Sequence, residues 1–237
     1  MQSSTHPASL ELLRIELGLH HKSEALSPTD KATLLEALTH TSSGLNPHHE
    51  QLEFLGDAVL RLAASEFIAS SYPKMPVGER SSLRAQLVSD RWLAELGAAV
   101  EIERFWRIGP KASGDSTAAA TIRAELSEAL IGAVYRIAGT KAVEQWLTPY
   151  WTRSAEAVLA DPHRGNSKSA LQEWSQGKGL GLPRYSSEEI SQQHGDPRRF
   201  HCTVALPPNL KAEGWGGSRR DAEQQAARNA LTQLAGD

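Results

Sequence analysis

The sequence predicts two folded domains in tandem: an all-α domain over residues 8–158 and, after a short linker at 159–166, a small α+β domain over 167–236. Three observations carry this prediction. Apolar residues recur at helical spacing through the first two thirds of the chain. The pattern breaks at Asp161-Pro162-His163-Arg164-Gly165-Asn166, where turn formers cluster. Beyond that break the period changes, because Phe200, Cys202, Val204 and Leu206 alternate with His201, Thr203 and Ala205, as in a half-buried strand.

Taken in order, Leu10, Leu13 and Leu17 form one short helical stripe. Ser27-Pro28-Thr29-Asp30 reads as a helix start, with a capping hydroxyl, proline at the first helical position and an early acid. Leu34, Leu35 and Leu38 are its expected buried face. Further helices are predicted over 49–70, 81–100, 118–138 and 141–159, separated by Pro and Gly breakers at 72–78 and 109–116. In the second domain, helices at 167–176 and 218–234 bracket the strand region. Gly177-Lys178-Gly179-Leu180-Gly181 reads as a helix end and turn rather than a phosphate loop, because no strand precedes it.

A chain of 237 residues with 40% hydrophobic and 22% charged residues is an ordinary globular composition, which excludes disordered and fibrous classes. No apolar run approaches a membrane span, and the first residues lack the basic and apolar regions of a signal peptide. The single cysteine, Cys202, cannot form an internal disulfide, so a reducing compartment and hence the cytoplasm is expected. Its place on the apolar side of a strand makes it a core residue. The net charge is −3, with 16 basic and 20 acidic residues up to position 165 against 9 and 8 after it. The acidic excess therefore sits in the helical domain, where a cation site would need it.

The most informative segment runs from Glu50 to Leu60. On a helix, Glu50, Glu53 and Asp57 fall at i, i+3 and i+7, one narrow face, while Leu52, Leu55, Val59 and Leu62 are expected on the other. Alone, such a stripe is most often a solvated acidic face. A second helix changes the balance. Glu125 and Glu128 stand at i, i+3 among Ile122, Leu126, Leu130, Ile131, Val134 and Ile137, so their helix is expected to be largely buried. Acids there need partners, since burying an unpaired charge is costly. Two such helices facing one another gather four carboxylates, which suit a hard divalent cation such as Mg²⁺. A cation held in that way is equipment for phosphodiester hydrolysis.

Glu50, Leu52-Glu53-Phe54-Leu55-Gly56-Asp57 and Ala58-Val59-Leu60 resemble the signature of the ribonuclease III family. Thr39-His40-x-Ser42, Leu83-Arg84-Ala85-x-Leu87-Val88-Ser89 and Glu128-Ala129-Leu130-Ile131-Gly132-Ala133 resemble it in the same order, so the likeness covers most of residues 10–155. The resemblance implies a metal-dependent endoribonuclease cutting double-stranded RNA to 5′-phosphate and 3′-hydroxyl ends with short 3′ overhangs, working in ribosomal and other RNA processing. It implies that Glu53, Asp57, Glu125 and Glu128 surround Mg²⁺, with Mn²⁺ as a substitute. Glu53 and Glu128 are the closest ligands, and Asp57 and Glu128 are catalytic. It further implies a homodimer into whose partner Phe54 inserts; by position alone Phe54 suits a contact within the chain equally well. The chain departs from the family in having Glu125 for an aspartate, Val77 for an acid, and His49 and Gln51 for the asparagine and arginine of the signature.

Residues 166–236 resemble a double-stranded-RNA-binding domain, through Ser169-Ala170-Leu171-Gln172-Glu173-Trp174 and through Gly214-Trp215-Gly216-Gly217-Ser218-Arg219-Arg220-Asp221-Ala222-Glu223-Gln224-Gln225-Ala226-Ala227. That likeness implies an α-β-β-β-α fold. Ser218, Arg219 and Arg220 at a helix N-terminus offer N–H groups and positive charge to phosphates, with glycines letting the loop approach the backbone. Gln172 and Glu173 are placed toward one minor groove and His194 toward the next. The usual Gly-Pro-x-His is replaced by Gln193-His194-Gly195-Asp196-Pro197. Trp174 is expected in the core and Trp215 at the loop. His20-His21 and His48-His49 lack metal-ligand spacing and are expected on the surface. Two rival functions remain. A non-cleaving RNA-binding protein of the same fold is one; a hydrolase of small phosphates, which leaves the second domain unexplained, is the other.

Overall fold

The computed structural model describes residues 7–19, 25–110, 112, 116–160, 166–193 and 196–235. The expected linker residues 161–165, together with His20, His21 and His194, lie outside the described residues. The chain divides into two units, Met1–Ala157 and Val158–Asp237.

In the first unit, α1 (Pro7–Glu16) buries Leu10 and Leu13, and Leu17 follows beneath it. The start of α2 (Pro28–Ala37) is a reciprocal cap: the Asp30 N–H donates to Ser27 Oγ at 3.1 Å and the Ser27 N–H to Asp30 Oδ2 at 3.3 Å. Leu34 and Leu38 are buried as expected, but Leu35 is only half-buried, and Thr33 and Ala37 complete the face. A 3₁₀ turn at Thr41–Ser43 leads to α3 (Glu50–Ser71), then α4 (Val77–Leu87), α5 (Asp90–Ala99), a second 3₁₀ turn (Ile102–Arg104), α6 (Ser116–Ala138) and α7 (Thr140–Ala160).

The helix expected over 81–100 is therefore two. Ser89 ends one and caps the next, its Oγ accepting the Trp92 N–H at 3.3 Å. The break is masked in sequence because Leu83, Leu87, Leu93 and Leu96 are all buried, so the apolar rhythm runs across it. Helix α4 also starts inside the expected breaker segment, at Val77, which is 77% exposed. On α3 the buried side consists of Leu52, Gly56, Val59, Leu60, Ala63, Ala64, Phe67 and Ile68. Leu62, assigned to it from spacing, is 54% exposed, and Leu55 is half-buried. Trp151 of α7 is fully buried beside Phe67 and Trp92, its indole N–H donating to the Leu87 carbonyl at 3.2 Å.

Helices α3 and α6 pack backbone to backbone. A Cβ on Gly56 would run into the carbonyl of Glu128, and one on Gly132 into the carbonyl of Leu52. These two glycines set the separation of the acid-bearing helices.

In the second unit, α8 (Ser167–Gly177) precedes β1 (Arg184–Glu189), β2 (Phe200–Leu206) and β3 (Leu210–Gly216), and α9 (Arg219–Ala235) closes the fold. The sheet is antiparallel in the order β1-β2-β3, with Ser187 and Gly214 flanking Cys202 in register. The strand alternation holds: Cys202, Val204 and Leu206 are buried and Phe200 is partly so. Cys202 joins Leu171, Val204, Ala212, Ala226 and Leu231 in the core, against which Trp174 packs. The turn after α8 uses left-handed backbone at Gly179 and Gly181, with φ of 71° and 80°. Gly214 and Gly216 correct the expectation of a purely phosphate-facing glycine loop. Both stand on β3, where a side chain would collide with the α9 backbone at Ala222 and Ala226, so they serve helix–sheet packing.

Candidate metal centre and nucleic-acid interface

The helices that cross at Gly56 and Gly132 carry Glu53 and Asp57 on α3 and Glu125 and Glu128 on α6. Glu53 feels the charge of Glu125, and Glu128 that of Asp57 and Glu53. The tight group of metal-ligand atoms among the described residues is His40, His49 and Glu125. All four acids are partly buried. Glu53 and Glu128 show the neighbouring negative charge in their proton affinities. Burial first, then the negative charges of Asp57, Glu53 and Asp90, push the Glu128 carboxyl up to about 7, and Arg61 opposes this. Burial first, then Glu125 and Glu50, raise Glu53. Asp90, the first residue of α5, is thus a further acid at the cluster that sequence spacing did not single out.

The positive charge nearby is limited. Arg61 donates from Nε to Asp57 Oδ1 at 2.8 Å, an i, i+4 pair on α3. Two imidazoles serve the other side. His40 Nε2 lies 3.0 Å from Glu125 Oε2, and His49 Nε2 lies 3.2 Å from Glu53 Oε2 and 3.8 Å from Glu125 Oε2. The two rings stack with centroids 4.8 Å apart. Burial, then His40, lower the His49 pKa, so His49 is held toward its neutral form. A cluster in which Glu53 and Glu128 resist ionisation is short of positive charge, and oxygen donors of this kind fit a hard divalent cation.

His49, expected on the surface, is instead 2% exposed at the start of α3. His40, in the Thr39-His40-x-Ser42 motif, is held by backbone and side-chain hydrogen bonds. The Leu38 carbonyl accepts from Arg107 N–H at 2.8 Å, and the Arg107 carbonyl accepts from His40 N–H at 2.9 Å. Gly109 N–H donates to Ser42 Oγ at 3.0 Å, at a point where any side chain on Gly109 would strike the Ser42 backbone. The signal available in sequence was the pairing of His40 and Ser42 with a distant glycine, which no local rule reveals. His40, Thr41, His49, Glu50, Glu53, Phe54 and Glu125 line an open cleft of about 450 Å³. Phe54 is 84% exposed at its rim, which removes the option of a packing contact inside the described part of the chain.

In the second unit, Gln172 and Glu173 are exposed on α8, and Ser218, Arg219 and Arg220 are exposed where α9 begins. Ser218 caps that helix: its Oγ accepts the Asp221 N–H at 3.2 Å and donates to Asp221 Oδ2 at 2.7 Å. Lys168 joins the two helices, its ammonium 2.6 Å from Glu223 and its N–H donating to Gln224 at 3.2 Å. Trp215 is half-buried between Arg198, 4.7 Å over its ring, and His201, so it is a sheet-surface residue rather than a free loop residue.

Comparison with known proteins agrees with this geometry. Residues 30–153 match the family model described as ribonuclease-III-like, and residues 167–234 match the double-stranded RNA binding motif. The chain is 57% identical over 202 residues to Ribonuclease 3 of Prochlorococcus marinus, an alignment covering 85% of this chain and 81% of that protein. It is 38% identical over 205 residues to Ribonuclease 3 2 of a Synechocystis species, covering 86% and 84%. Among solved structures, the nuclease domain of ribonuclease III from Campylobacter jejuni superposes with a TM-score of 0.53 at 28% identity, covering 61% of this chain and 97% of that one. That structure is described as flexible in the region involved in dimer formation. With an acid-lined crossing of two helices in one unit and an RNA-binding fold in the other, the chain belongs to the ribonuclease III family.

Proposed function

We propose that this protein is an endoribonuclease that hydrolyses double-stranded RNA with Mg²⁺, leaving 5′-phosphate and 3′-hydroxyl ends with short 3′ overhangs. The observation that carries the reading is that Glu53, Asp57, Glu125 and Glu128 stand on two helices at a glycine-enforced crossing, in a chain that also bears a double-stranded RNA binding motif. These four residues would hold the cation, Mn²⁺ being a substitute, with Glu53 and Glu128 closest. When bound, a divalent ion there supplies Lewis acidity toward the phosphate and lowers the pKa of a water.

The chain's own residues do the rest. Burial and the neighbouring acids hold the Glu128 carboxyl at about 7, so it exchanges its proton near neutral pH and would hold a cation in its ionised form. Arg61 fixes the Asp57 carboxylate through Oδ1, and His40 fixes Glu125 through Oε2. In the second unit, Gln172, Glu173 and His194 would face minor grooves, and Ser218, Arg219 and Arg220 the phosphates between them. Phe54 would insert into a second copy of the chain, giving a homodimer with two acidic clusters for two strands. Cytoplasmic processing of ribosomal and other RNA is the setting we propose, consistent with a lone, buried Cys202. No described helix is long and apolar enough to cross a membrane.

The test is substrate choice with end analysis. A long RNA duplex, its separate strands and a DNA duplex of the same sequence are each incubated with the protein and Mg²⁺. Cutting of the RNA duplex alone, with the ends named above, is the expected outcome. Tight duplex binding with no cutting, in Mg²⁺ or Mn²⁺, overturns the nuclease in favour of a binding protein and directs suspicion to Val77 and Glu125.

A further inference from the structure

We propose that His40, His49 and Glu125 form a second, imidazole-containing cation site that selects a borderline transition-metal ion, Zn²⁺ foremost, over Mg²⁺. The two Nε2 atoms converge on one oxygen, Glu125 Oε2, at 3.0 and 3.8 Å, and the three ligand atoms lie within 4.8 Å of one another. Tetrahedral Zn²⁺ with ligands at about 2.0–2.1 Å spaces them by about 3.3 Å, so the two Nε2–Oε2 spacings need adjustments of well under 1 Å. The two Nε2 atoms, within 4.8 Å of each other, close by up to about 1.5 Å.

The donors are positioned rather than loose. His49 is buried at the start of α3 and its ring stacks on that of His40. His40 Nδ1 lies 2.8 Å from Ser42 Oγ and accepts the Ser42 N–H at 3.1 Å. When Nε2 gives its lone pair to a metal, the ring proton moves to Nδ1, where Ser42 Oγ at 2.8 Å accepts it and the Ser42 N–H gives up its bond to the ring. That is the outer partner a metal-binding histidine requires. The adjoining cleft of about 450 Å³ leaves room for water in the remaining position. Two imidazoles and one carboxylate favour Zn²⁺ and its neighbours, whereas the all-oxygen carboxylate cluster favours Mg²⁺. Glu125 is common to both. The inference does not depend on cleavage, since a protein that only bound RNA would hold the ion equally well.

The experiment titrates Zn²⁺ into metal-stripped full-length protein in excess Mg²⁺, read by calorimetry, with folding of each variant checked by circular dichroism. One Zn²⁺ per chain is expected, with affinity weakened roughly tenfold or more by His40→Asn and by His49→Asn. His48→Asn should leave it intact. Zn²⁺ binding that survives both histidine changes, or that is lost only in Glu128→Gln, overturns the site. Because His49 is buried and its replacement can unfold α3, a second measurement uses unaltered protein loaded with Co²⁺ in excess Mg²⁺. Intense visible bands of a four-coordinate, nitrogen-ligated ion support the site, and a pale six-coordinate oxygen spectrum contradicts it.

Discussion

Glu128 sits where burial and the fields of Asp57, Glu53 and Asp90 add, and its carboxyl is pushed up to about 7. Its folded pKa lies above the unfolded value, so folding favours the protonated form. The associated stability is full below the ordinary glutamate value of 4.5 and is lost as pH rises through about 7. Metal-free protein should accordingly melt higher at mildly acid than at mildly alkaline pH. Glu128→Gln should raise metal-free stability on the alkaline side by about 1–2 kcal/mol, allowing for partial exposure. Thermal melts across that range check both statements. Mg²⁺ affinity should rise over the same interval, because the ion competes with the proton. Glu125 gives a separate prediction: Glu125→Asp keeps cleavage and Glu125→Gln loses most of it, measured as initial rates on one duplex. Equal rates for the glutamine variant would take Glu125 out of the site. The acids were legible as residues because their i, i+3 and i+7 spacing needs only a helix to align them. His49 was not, since its burial depends on a loop pinned by Arg107 and Gly109, more than fifty residues away in sequence.

At the scale of elements, the site depends on how closely α3 approaches α6. Gly56→Ala places a methyl against the Glu128 carbonyl, and Gly132→Ala places one against that of Leu52. Each should destabilise the first unit by about 3 kcal/mol and weaken Mg²⁺ binding, because the helices must part. Denaturant melts and metal titration test this; an alanine variant of unchanged stability would mean that the close approach is not enforced there. Helix starts with side-chain caps, such as Ser27 with Asp30, were readable from sequence, as was the alternation of β2. The division between α4 and α5 was hidden by a continuous apolar rhythm, although Ser89-Asp90 carried a capping signal. Leu62 went astray for the opposite reason: helical spacing identifies a face but not how wide the neighbour covering it is, and here the covered strip ends short of it.

For the whole molecule, the two units are chemically distinct: one gathers acids, the other presents Arg219, Arg220 and a capped helix end. The sequence changes period around residues 161–166, and the chain divides into Met1–Ala157 and Val158–Asp237. What covers Phe54 could not be read from spacing. Phe54 is exposed, as is Leu62 about two turns further along the same helix, and each is apolar surface that a second copy of the chain would cover. Phe54→Ala should shift the protein toward monomer in sedimentation and lower duplex cleavage, whereas an unaltered dimer would place the contact elsewhere. The central claim, that the carboxylates cut while the second unit binds, is tested most directly by Glu128→Gln on a long RNA duplex over a Mg²⁺ titration, with binding measured alongside. The account predicts duplex affinity close to that of the unaltered protein and no cleavage at any Mg²⁺ concentration. Cleavage at the unaltered rate would contradict it.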